Sequence, residues 1–513
     1  MNHDSLPPSA FRVPSYGWLV LALASCGATL APEHAPPAAV LTSAQLAPSA
    51  CVPAPVAASD SAPAPVVPPP TATALAYSET ARRILAASLA SDGAFQKLGV
   101  LTDVIGSRLS GSAALEHAVT WAKDTFTAEA HERVTLESVR VPHWVRGAES
   151  ATVLAPLVRA LPVLTLGGSV ATPAQGIDAD LVVVSSFDEL EARKLEIPGK
   201  IVLFDHVMAG PANAGSGYGE AIPYRTTGAS RAGALGAVAV LVRSLTAHSL
   251  GVPHTGSMRY LDSKAKKIPA AAVTVEDAEL LHRLVERGQT VKLHLALSPK
   301  TLPDANSANV TAEIRGRELP DEVVLIGAHL DSWDVGQGAQ DDGAGVVTVM
   351  QALTTLRGLG LVPRRTLRAV LFTNEENGVR GAAQYEKDHH AERHVGAFEM
   401  DTGAGAPLGF MTDGEQPFLG EAQETAALLA PIGAATVKPG FAGEDISALK
   451  PDKVPLFAVM LNIEHYFDVH HSAADTLDKI DPEQLKKSVA ALATMAFVVA
   501  DQARTWNDSV VNH

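Results

Sequence analysis

The sequence predicts an α/β fold whose core is a mostly parallel mixed sheet flanked by helices, with a β-rich domain inserted into it. From about Asn306 onward, strand-like and helix-like segments alternate, which is the pattern of a largely parallel sheet. From about Val141 to about Pro303, short β-like runs are separated by Gly and Pro turns instead. The length of 513 residues exceeds that of a usual single domain, which favours one domain with a large insertion.

The first 25 residues have the pattern of an export signal. The apolar run YGWLVLALASCG, from Tyr16 to Gly27, is too short to span a bilayer as a helix and suits the hydrophobic region of a signal peptide. Its end, LASC, resembles the lipobox of bacterial lipoproteins, in which cleavage leaves the cysteine as a lipidated N-terminus. We therefore expect residues 1–25 to be a lipoprotein-type signal peptide. The protein would be exported to the outer membrane or periplasm, or secreted, and would meet a membrane only through a lipid anchor on Cys26.

Residues 26–73 have the composition of a disordered linker. Eleven of the 34 prolines fall between Pro32 and Pro70, among many alanines and almost no charge. Such a segment cannot build a core and favours extended conformations. The only two cysteines, Cys26 and Cys51, both precede residue 74. Any metal site in the folded part must therefore use His, Asp and Glu.

The charge of the chain excludes nucleic acid as a partner. The formal net charge is -16, whereas a nucleic-acid-binding protein needs a basic face. The sequence also lacks the polybasic cluster that binds anionic membranes.

The folded part is predicted to begin with two helices and a strand, within residues 74–140. SETARRILAASLA and SAALEHAVTWAKDTF have apolar residues at spacings of three and four, whereas RVTLESVRV has the pattern of a strand. In residues 304–513, strands are expected in EVVLIGAHL, RRTLRAVLFTNEE, VGAFEMDTG and VPLFAVMLN. Helices are expected at about Ala344–Arg357, Ala382–His394, Phe418–Ala430 and Pro482–Thr505.

Each of these four strands ends in acidic residues or histidine. In chain order, the side chains are His329, Asp331 and, in the following loop, Asp341; Glu375 and Glu376; Asp401; and His470 and His471. Open α/β sheets bind ligands at the carboxyl ends of their strands. Acidic groups gathered there stay ionised only with a compensating cation. Imidazole and carboxylate without thiolate suit zinc in a hydrolytic site.

The segments HLD, DDGAG, NEENG, MDTG and HHSAADT, in this order, resemble the co-catalytic zinc exopeptidase family of aminopeptidases and glutamate carboxypeptidases. Other segments, such as YRTTGASRAGALGAVAVLVRS and KIPAAAVTVEDAELL, resemble its carboxypeptidase members. The resemblance extends from about Ser78 to the C-terminus and implies the zinc exopeptidase fold. Residues 74–140 and 304–513 would form the peptidase domain, and residues 141–303 a protease-associated-like insertion beside the substrate cleft.

The resemblance implies two zinc ions per chain. The family pattern names five ligands, which are His329, Asp341, Glu376, Asp401 and His471. Asp341 would bridge the ions, with His329 and Asp401 completing one site and Glu376 and His471 the other. Two such metals can clamp a water and polarise a peptide carbonyl. The resemblance also implies a cis peptide bond between Asp341 and Asp342.

Further roles are assigned by the same resemblance. Glu375 would be the general base that takes the proton from water and passes it to the leaving amine. Asp331 would accept the imidazole N–H of His329 and so fix its tautomer. His470 or Tyr466 would stabilise the oxyanion. Three residues of the insertion would hold a substrate carboxylate, namely Arg225, Arg243 and His254. Asp334 and Asp342 are expected to be loop and cap residues, and DHH at Asp388–His390 a solvated helix face.

The sequence thus predicts a di-zinc exopeptidase that hydrolyses dipeptides or the terminal bonds of short peptides. An aminopeptidase of broad specificity, with no requirement for a free C-terminus, is the first alternative. A glutaminyl cyclase, which has a related fold but usually one zinc, and a non-catalytic binding module are two others. Relatives in the family often dimerise, so the resemblance leaves a homodimer open.

Overall fold

A computed structural model describes residues 72–209, 216–246, 248, 251–262, 266–414 and 418–506 of the chain. The predicted signal peptide and residues 26–71 of the predicted linker lie outside the described residues, so both stay predictions. No helix within the described ranges is both long and apolar enough to cross a membrane.

The described residues form sixteen strands and eleven α-helices, numbered here in chain order. The strands are β1 (Glu132–Val145), β2 (Glu149–Ala155), β3 (Arg159–Leu161), β4 (Val163–Thr165), β5 (Ile177–Val184), β6 (Ile201–Phe204), β7 (Ala239–Arg243), β8 (Ala270–Val273), β9 (Lys292–Leu297), β10 (Lys300–Ile314), β11 (Leu319–His329), β12 (Arg365–Phe372), β13 (Arg393–Glu399), β14 (Pro407–Thr412), β15 (Thr436–Pro439) and β16 (Leu456–Leu461). The helices are α1 (Ala72–Leu89), α2 (Gly93–Gly99), α3 (Ala113–Ala128), α4 (Phe187–Ala192), α5 (Ser216–Ala234), α6 (Val275–Glu286), α7 (Ala344–Gly358), α8 (Arg380–His389), α9 (Phe418–Ala426), α10 (Tyr466–Val469) and α11 (Pro482–Asp501).

The first sheet has eight strands in the order β1-β10-β12-β11-β13-β16-β14-β15. Its centre is parallel, because β12, β11, β13 and β16 pair in parallel, whereas β1, β10 and β14 join it in antiparallel pairs. The predicted mixed α/β sheet is therefore confirmed. The parallel strands place the carboxyl ends of β11, β12, β13 and β16 at one edge of the sheet.

Helices cover both faces of this sheet. On one face lie α7 and α11, whose side chains are buried almost all around, with α1, α2 and α3 beside them. Asp481 begins α11 by accepting the N–H of Glu483, and Pro482 takes the first helical position, where its missing N–H costs nothing. On the other face, α8 and the segment around Ile446 and Leu449 pack against β11, β12 and β13.

The second sheet lies entirely within the predicted insertion. Its order is β3-β2-β9-β5-β6-β7-β8-β4, and β5 to β8 pair in parallel, with α4, α5 and α6 packed against them. The chain enters and leaves it along one antiparallel pair of the first sheet, in which Trp144 of β1 faces Thr301 of β10. The insertion is therefore held at both ends by the same ladder. Its identity as a protease-associated domain stays a prediction.

Three predicted helices end earlier than expected, among them the one predicted over Pro482–Thr505, which ends at Asp501. The helix predicted over Ala382–His394 ends at His389, and Arg393 already pairs in parallel with Glu322 of β11. The helix predicted over Phe418–Ala430 ends at Ala426 and continues as a 3-10 helix that contains Pro431.

The expectation of a solvated face at DHH is wrong for its middle residue. Asp388 and His390 are exposed, but the side chain of His389 is only 15% exposed. Its imidazole lies 3.0 Å from carboxylate oxygens of both Glu137 and Glu392 and stacks on the ring of Tyr385. The helix turns this residue toward β1, which the local sequence does not indicate.

Candidate active site

The five predicted metal ligands come from five chain segments that meet at the carboxyl edge of the first sheet. His329 is the last residue of β11, and Glu376 and Asp401 follow β12 and β13. Asp341 lies in a short π-helical turn before α7, where the Asp341–Asp342 peptide is cis, as the resemblance implied. His471 follows α10, after β16.

These five side chains form two groups that share Asp341. Nε2 of His329 lies 3.2 Å from Oδ1 of Asp341 and 3.2 Å from Oδ1 of Asp401. Nε2 of His471 lies 3.1 Å from Oδ2 of Asp341 and 3.1 Å from Oε2 of Glu376. Each carboxylate oxygen of Asp341 therefore faces a different group.

The separations fit donor atoms that would share a zinc ion within each group. Zinc–ligand bonds of 2.0–2.2 Å place the ligand atoms about 3.3 Å apart, close to the distances found here. The donors are imidazole nitrogens and carboxylate oxygens; those of His329, Asp341 and Glu376 are buried, whereas the side chain of His471 is 9% exposed and that of Asp401 24% exposed. Burial raises the pKa of Glu376 to about 7, and the charge of Asp341 adds to the rise. A bound cation would relieve this repulsion.

Asp342 and His470 lie close enough to the two groups to be alternative metal ligands. Ligand-capable atoms of His329, Asp342 and Asp401 lie within 4.8 Å of one another, as do those of Asp341, His470 and His471. The oxygens of Asp342, however, accept main-chain N–H groups of His329, at 3.2 Å, and of Gly345, at 3.0 Å in the first turn of α7. This contact agrees with the cap role that we expected for Asp342.

Glu375 and Glu376 are adjacent, and both line the cavity beside the metal groups. Glu376 pairs with Nε2 of His471 at 3.1 Å, and no such pair joins Glu375 to His471 in the described part of the chain. The preceding Asn374 has a φ of 66°, a left-handed conformation that is uncommon outside glycine. Burial raises the pKa of Glu375 well above its usual range, and Asp401 and Glu376 add to the rise. Bound dications would oppose that shift and favour the ionised base.

The role of Asp331 differs in detail from the expectation. Nδ1 of His329 lies 3.1 Å from the main-chain oxygen of Asp331 but 3.8 Å from its carboxylate. The carboxylate instead accepts the N–H of Glu375 at 3.0 Å and the hydroxyl of Ser110 at 3.3 Å. Asp331 thus fixes the His329 tautomer through its backbone, and its side chain positions the segment that carries Glu375.

Two further residues hold the ligand loops, and sequence reasoning missed both. Asp475 accepts the N–H groups of Gln340, at 2.7 Å, and Asp341, at 3.2 Å. Arg108 is fully buried, and its guanidinium donates to main-chain oxygens of Gly106, Leu330, Gln337 and Gly338. The HHSAADT segment contains Asp475, so a signal for it existed. Nothing in the sequence around Arg108 marks it.

A cavity of about 440 Å³ opens beside the metal groups, and both parts of the chain line it. The insertion contributes Tyr218, Ile222, Arg225 and Ser257. The core contributes Asp341, Glu375, Glu376, Gly378, Val379, Asp401, Thr402, Phe441, Glu444, Tyr466, Phe467, His470 and His471. The insertion therefore forms a wall of the cavity.

Arg225 is a buried cation that pairs with no carboxylate among the described residues. It is 4% exposed, and Nη1 lies 3.4 Å from the main-chain oxygen of Thr255 and 3.3 Å from Nδ1 of His471. Its Nε has no hydrogen-bond partner there. A buried charge without a counter-ion is costly. The guanidinium is therefore well suited to an anion in the cavity.

The expectations for Arg243 and His254 need correction, since neither lines the cavity. Arg243 donates to Asp205, at 2.9 Å, and Glu279, at 3.0 Å, which already neutralise it within the insertion. His254 is 1% exposed, and burial lowers its pKa to about 3, which leaves it neutral. A neutral buried imidazole outside the cavity cannot hold a substrate carboxylate.

Both residues considered for the oxyanion line the cavity. The ring of His470 stacks on that of His471, with centroids 3.6 Å apart, and its Nε2 lies 3.5 Å from Asp341. Burial raises the pKa of Tyr466 well above its usual range, and Asp341 and Asp401 add to the rise. Its hydroxyl therefore keeps the proton that a hydrogen-bond donor needs.

Comparison with known proteins gives one family and relatives that match over most of the chain. Residues 309–496 match the model of Peptidase family M28. Carboxypeptidase Q of Mus musculus is 41% identical over 432 residues, which are 83% of this chain and 90% of that protein. Carboxypeptidase Q of Homo sapiens is 40% identical over 414 residues, or 80% and 86%.

A crystal structure of a peptidase M28 precursor from Shewanella amazonensis superposes with a TM-score of 0.81 at 36% identity. It covers 84% of this chain and 98% of that one. A zinc aminopeptidase from Bacillus subtilis superposes with a TM-score of 0.60 at 19% identity, over 81% and 97% of the two chains, which shows a shared fold.

Proposed function

Because the chain belongs to peptidase family M28 and is a metallopeptidase, we propose that it is a two-zinc exopeptidase that hydrolyses dipeptides or the terminal bonds of short peptides. One observation carries the proposal. The two carboxylate oxygens of Asp341 face two separate groups, His329 with Asp401 and His471 with Glu376, at 3.1–3.2 Å. This donor set suits two zinc ions with Asp341 as the bridge.

The residues around the metal groups supply the rest of the chemistry. Bound zinc provides Lewis-acid activation of water and of the scissile carbonyl. Glu375 lines the cavity, where it accepts a proton from the attacking water and returns it to the leaving amine. The hydroxyl of Tyr466 or the imidazole of His470 donates to the developing oxyanion. The main-chain oxygen of Asp331 and the carboxylate of Asp475 keep these groups in place.

Arg225 supports a requirement for a free C-terminus. It is buried, it has no carboxylate partner within the described part of the chain, and it lies beside His471 at the cavity wall. A guanidinium binds a carboxylate by charge-assisted hydrogen bonds, and it would bind the C-terminal carboxylate of a short peptide. A cavity of about 440 Å³ suits a substrate of dipeptide size.

A broad-specificity aminopeptidase is the second function that an observation favours. A probable leucine aminopeptidase of Aspergillus oryzae is 26% identical over 243 residues, 45% of this chain. Such an enzyme would not need Arg225. A glutaminyl cyclase with one zinc and a non-catalytic binding module are less well supported, because two complete ligand groups and Glu375 stand together.

The test is hydrolysis of one dipeptide in its free, N-acetylated and C-amidated forms, before and after chelation and after zinc is restored. The proposal expects cleavage of the free dipeptide, loss with chelator and recovery with zinc, and little cleavage of the amide. Equal cleavage of the amide would favour the aminopeptidase. No zinc-dependent cleavage of any form would overturn the proposal.

A matched pair of variants tests the role of Arg225. Arg225→Met should lower kcat/KM for the free dipeptide by about 10–100-fold, because a charge-assisted contact is lost. In this variant, kcat/KM for the free dipeptide should be close to kcat/KM for the C-amidated dipeptide. Arg287→Met, an exposed position of the insertion outside the cavity lining, is the control and should behave as wild type.

For the N-terminal segment, we propose export and lipidation at Cys26, on the basis of the LASC sequence. Fractionation and mass analysis of the wild type and Cys26→Ser test this. The wild type should carry an acylated Cys26 as its N-terminus, and the variant should lose the lipid and leave the membrane fraction. An unmodified Cys26 in the mature protein would show that the proposal is wrong.

A further inference from the structure

Glu444 is an acidic residue at the cavity wall, in the segment GEDIS, to which the proposed chemistry gives no role. It is exposed, it lines the same cavity as Glu375 and Arg225, and its carboxylate forms no ion pair with any described residue. The cavity lining contains one cationic side chain, Arg225, among the residues that the structure describes.

The loop that carries Glu444 is held firmly in place. The buried carboxylate of Glu399 accepts the N–H of Glu444 at 2.9 Å with one oxygen and the N–H of Ile446 at 2.9 Å with the other. Gly443 has a φ of 132°, and a Cβ there would lie 2.5 Å from Cδ of Glu399. Only glycine accommodates that close approach. The position of Glu444 is therefore built into the fold.

Glu444 and Arg225 are each connected to a different one of the two metal groups. Glu399, which holds the Glu444 loop, is the last residue of β13. Asp401, which forms one metal group with His329 and Asp341, follows two residues later. Nη1 of Arg225 lies 3.3 Å from Nδ1 of His471, which belongs to the other metal group, with Glu376 and Asp341. A substrate spanning the metal groups would therefore meet a negative charge toward one end and a positive charge toward the other.

We propose that Glu444 binds the α-ammonium group of the substrate, so that a zwitterionic dipeptide is held at both ends. The inference rests on the proposed function, in which Arg225 binds the carboxylate. The cavity lining also includes the apolar side chains of Ile222, Val379 and Phe441. A dipeptide with apolar side chains, such as leucyl-leucine, would pack against them.

The experiment uses the zinc-loaded full chain and two molecules of equal size. Leucyl-leucine carries the ammonium group, and its des-amino analogue, 4-methylpentanoyl-leucine, lacks it. KM and kcat are measured for the dipeptide, and the analogue is tested as a competitive inhibitor to give Ki. The variants are Glu444→Gln and, as a matched control, Glu424→Gln, an exposed glutamate of α9 outside the cavity lining.

The wild type and Glu424→Gln should bind the dipeptide about 10–100-fold more tightly than the analogue, because the ammonium contact is charge-assisted. In Glu444→Gln this preference should fall to about threefold or less through a higher KM, with Ki for the analogue unchanged. A preserved preference, or equal weakening of both molecules, would overturn the inference. If the wild type cleaves no dipeptide with zinc present, the proposed function itself fails, which is a distinguishable result.

Discussion

Nδ1 of His471 lies 3.3 Å from the main-chain oxygen of Thr255, and the N–H of Thr255 donates to the main-chain oxygen of His471 at 2.9 Å. This two-way contact links the insertion to a candidate metal ligand. It leaves Nε2 of His471 facing Asp341 and Glu376. The insertion therefore helps to position the candidate metal ligands as well as to form the cavity wall.

Gly256→Ala should displace Arg225 without removing the metals. Gly256 has a φ of 141°, and a Cβ there would lie 2.3 Å from Cζ of Arg225. The added methyl group must displace the guanidinium, so kcat/KM for a free dipeptide should fall by about tenfold or more. Zinc content should stay at the wild-type level. Wild-type kinetics in this variant would show that the position of Arg225 does not matter for the reaction.

Glu375→Gln should retain zinc and lose most of the turnover. Its amide has nearly the shape of the carboxylate but cannot accept the proton, which predicts a loss of about 10²–10⁴ in kcat, the range for a general base. Steady-state kinetics and metal analysis on the same sample check it. Near-normal kcat would remove Glu375 from the mechanism.

Arg108→Met should destabilise the fold. The buried guanidinium donates to four main-chain oxygens, and methionine would leave them without these donors. Unsatisfied buried acceptors predict a loss of about 3–5 kcal/mol in the free energy of unfolding of the metal-free protein. Urea unfolding measures it, with Arg287→Met as the control. A change of about 1 kcal/mol or less would show that water replaces these contacts.

His389 should make stability depend on pH above neutrality. Burial alone would lower its pKa, but hydrogen bonds to Glu137 and Glu392 outweigh burial and raise it from 6.5 to about 9. A raised pKa means that the folded state holds the proton more tightly. The stabilisation is complete below pH 6.5 and is lost as the pH rises through about 9.

The wild type should therefore lose roughly 2–3 kcal/mol more than His389→Gln on going from about pH 6.5 to above about pH 9. Urea unfolding at several pH values gives both curves. Parallel curves would indicate that the contacts of His389 do not favour its protonated form.

The sequence predicted where the candidate site lies, because acidic residues and histidines stand at strand ends, whereas the five-ligand set came from the family resemblance. His329, Glu376 and Asp401 each follow an apolar run that becomes a parallel strand, and parallel strands bring their carboxyl ends to one edge. The residues that hold the ligands could not be predicted in the same way. The guanidinium of Arg108 donates to main-chain oxygens, and Thr255 acts through its own main-chain atoms. Contacts with the main chain leave no pattern in the sequence.

Charge pairing over long distances explains two of the expectations that failed, those for Arg243 and His389. Arg243 is neutralised by Asp205, 38 residues before it in the chain, and His389 by Glu137, from a strand 252 residues away. Hydrophobic periodicity locates elements but does not show which charged side chains meet. Arg225, without such a partner among the described residues, is distinguished from Arg243 only by the three-dimensional structure.

The central claim is a two-zinc centre bridged by Asp341, and metal content tests it most directly. Metal-free wild type and Asp341→Ala would be loaded with zinc, dialysed and analysed for zinc per chain, with unfolding checked in parallel. The account predicts two zinc ions in the wild type and none in the folded variant, because Asp341 faces both groups. A wild type that holds one ion, or a variant that still holds two, would contradict it.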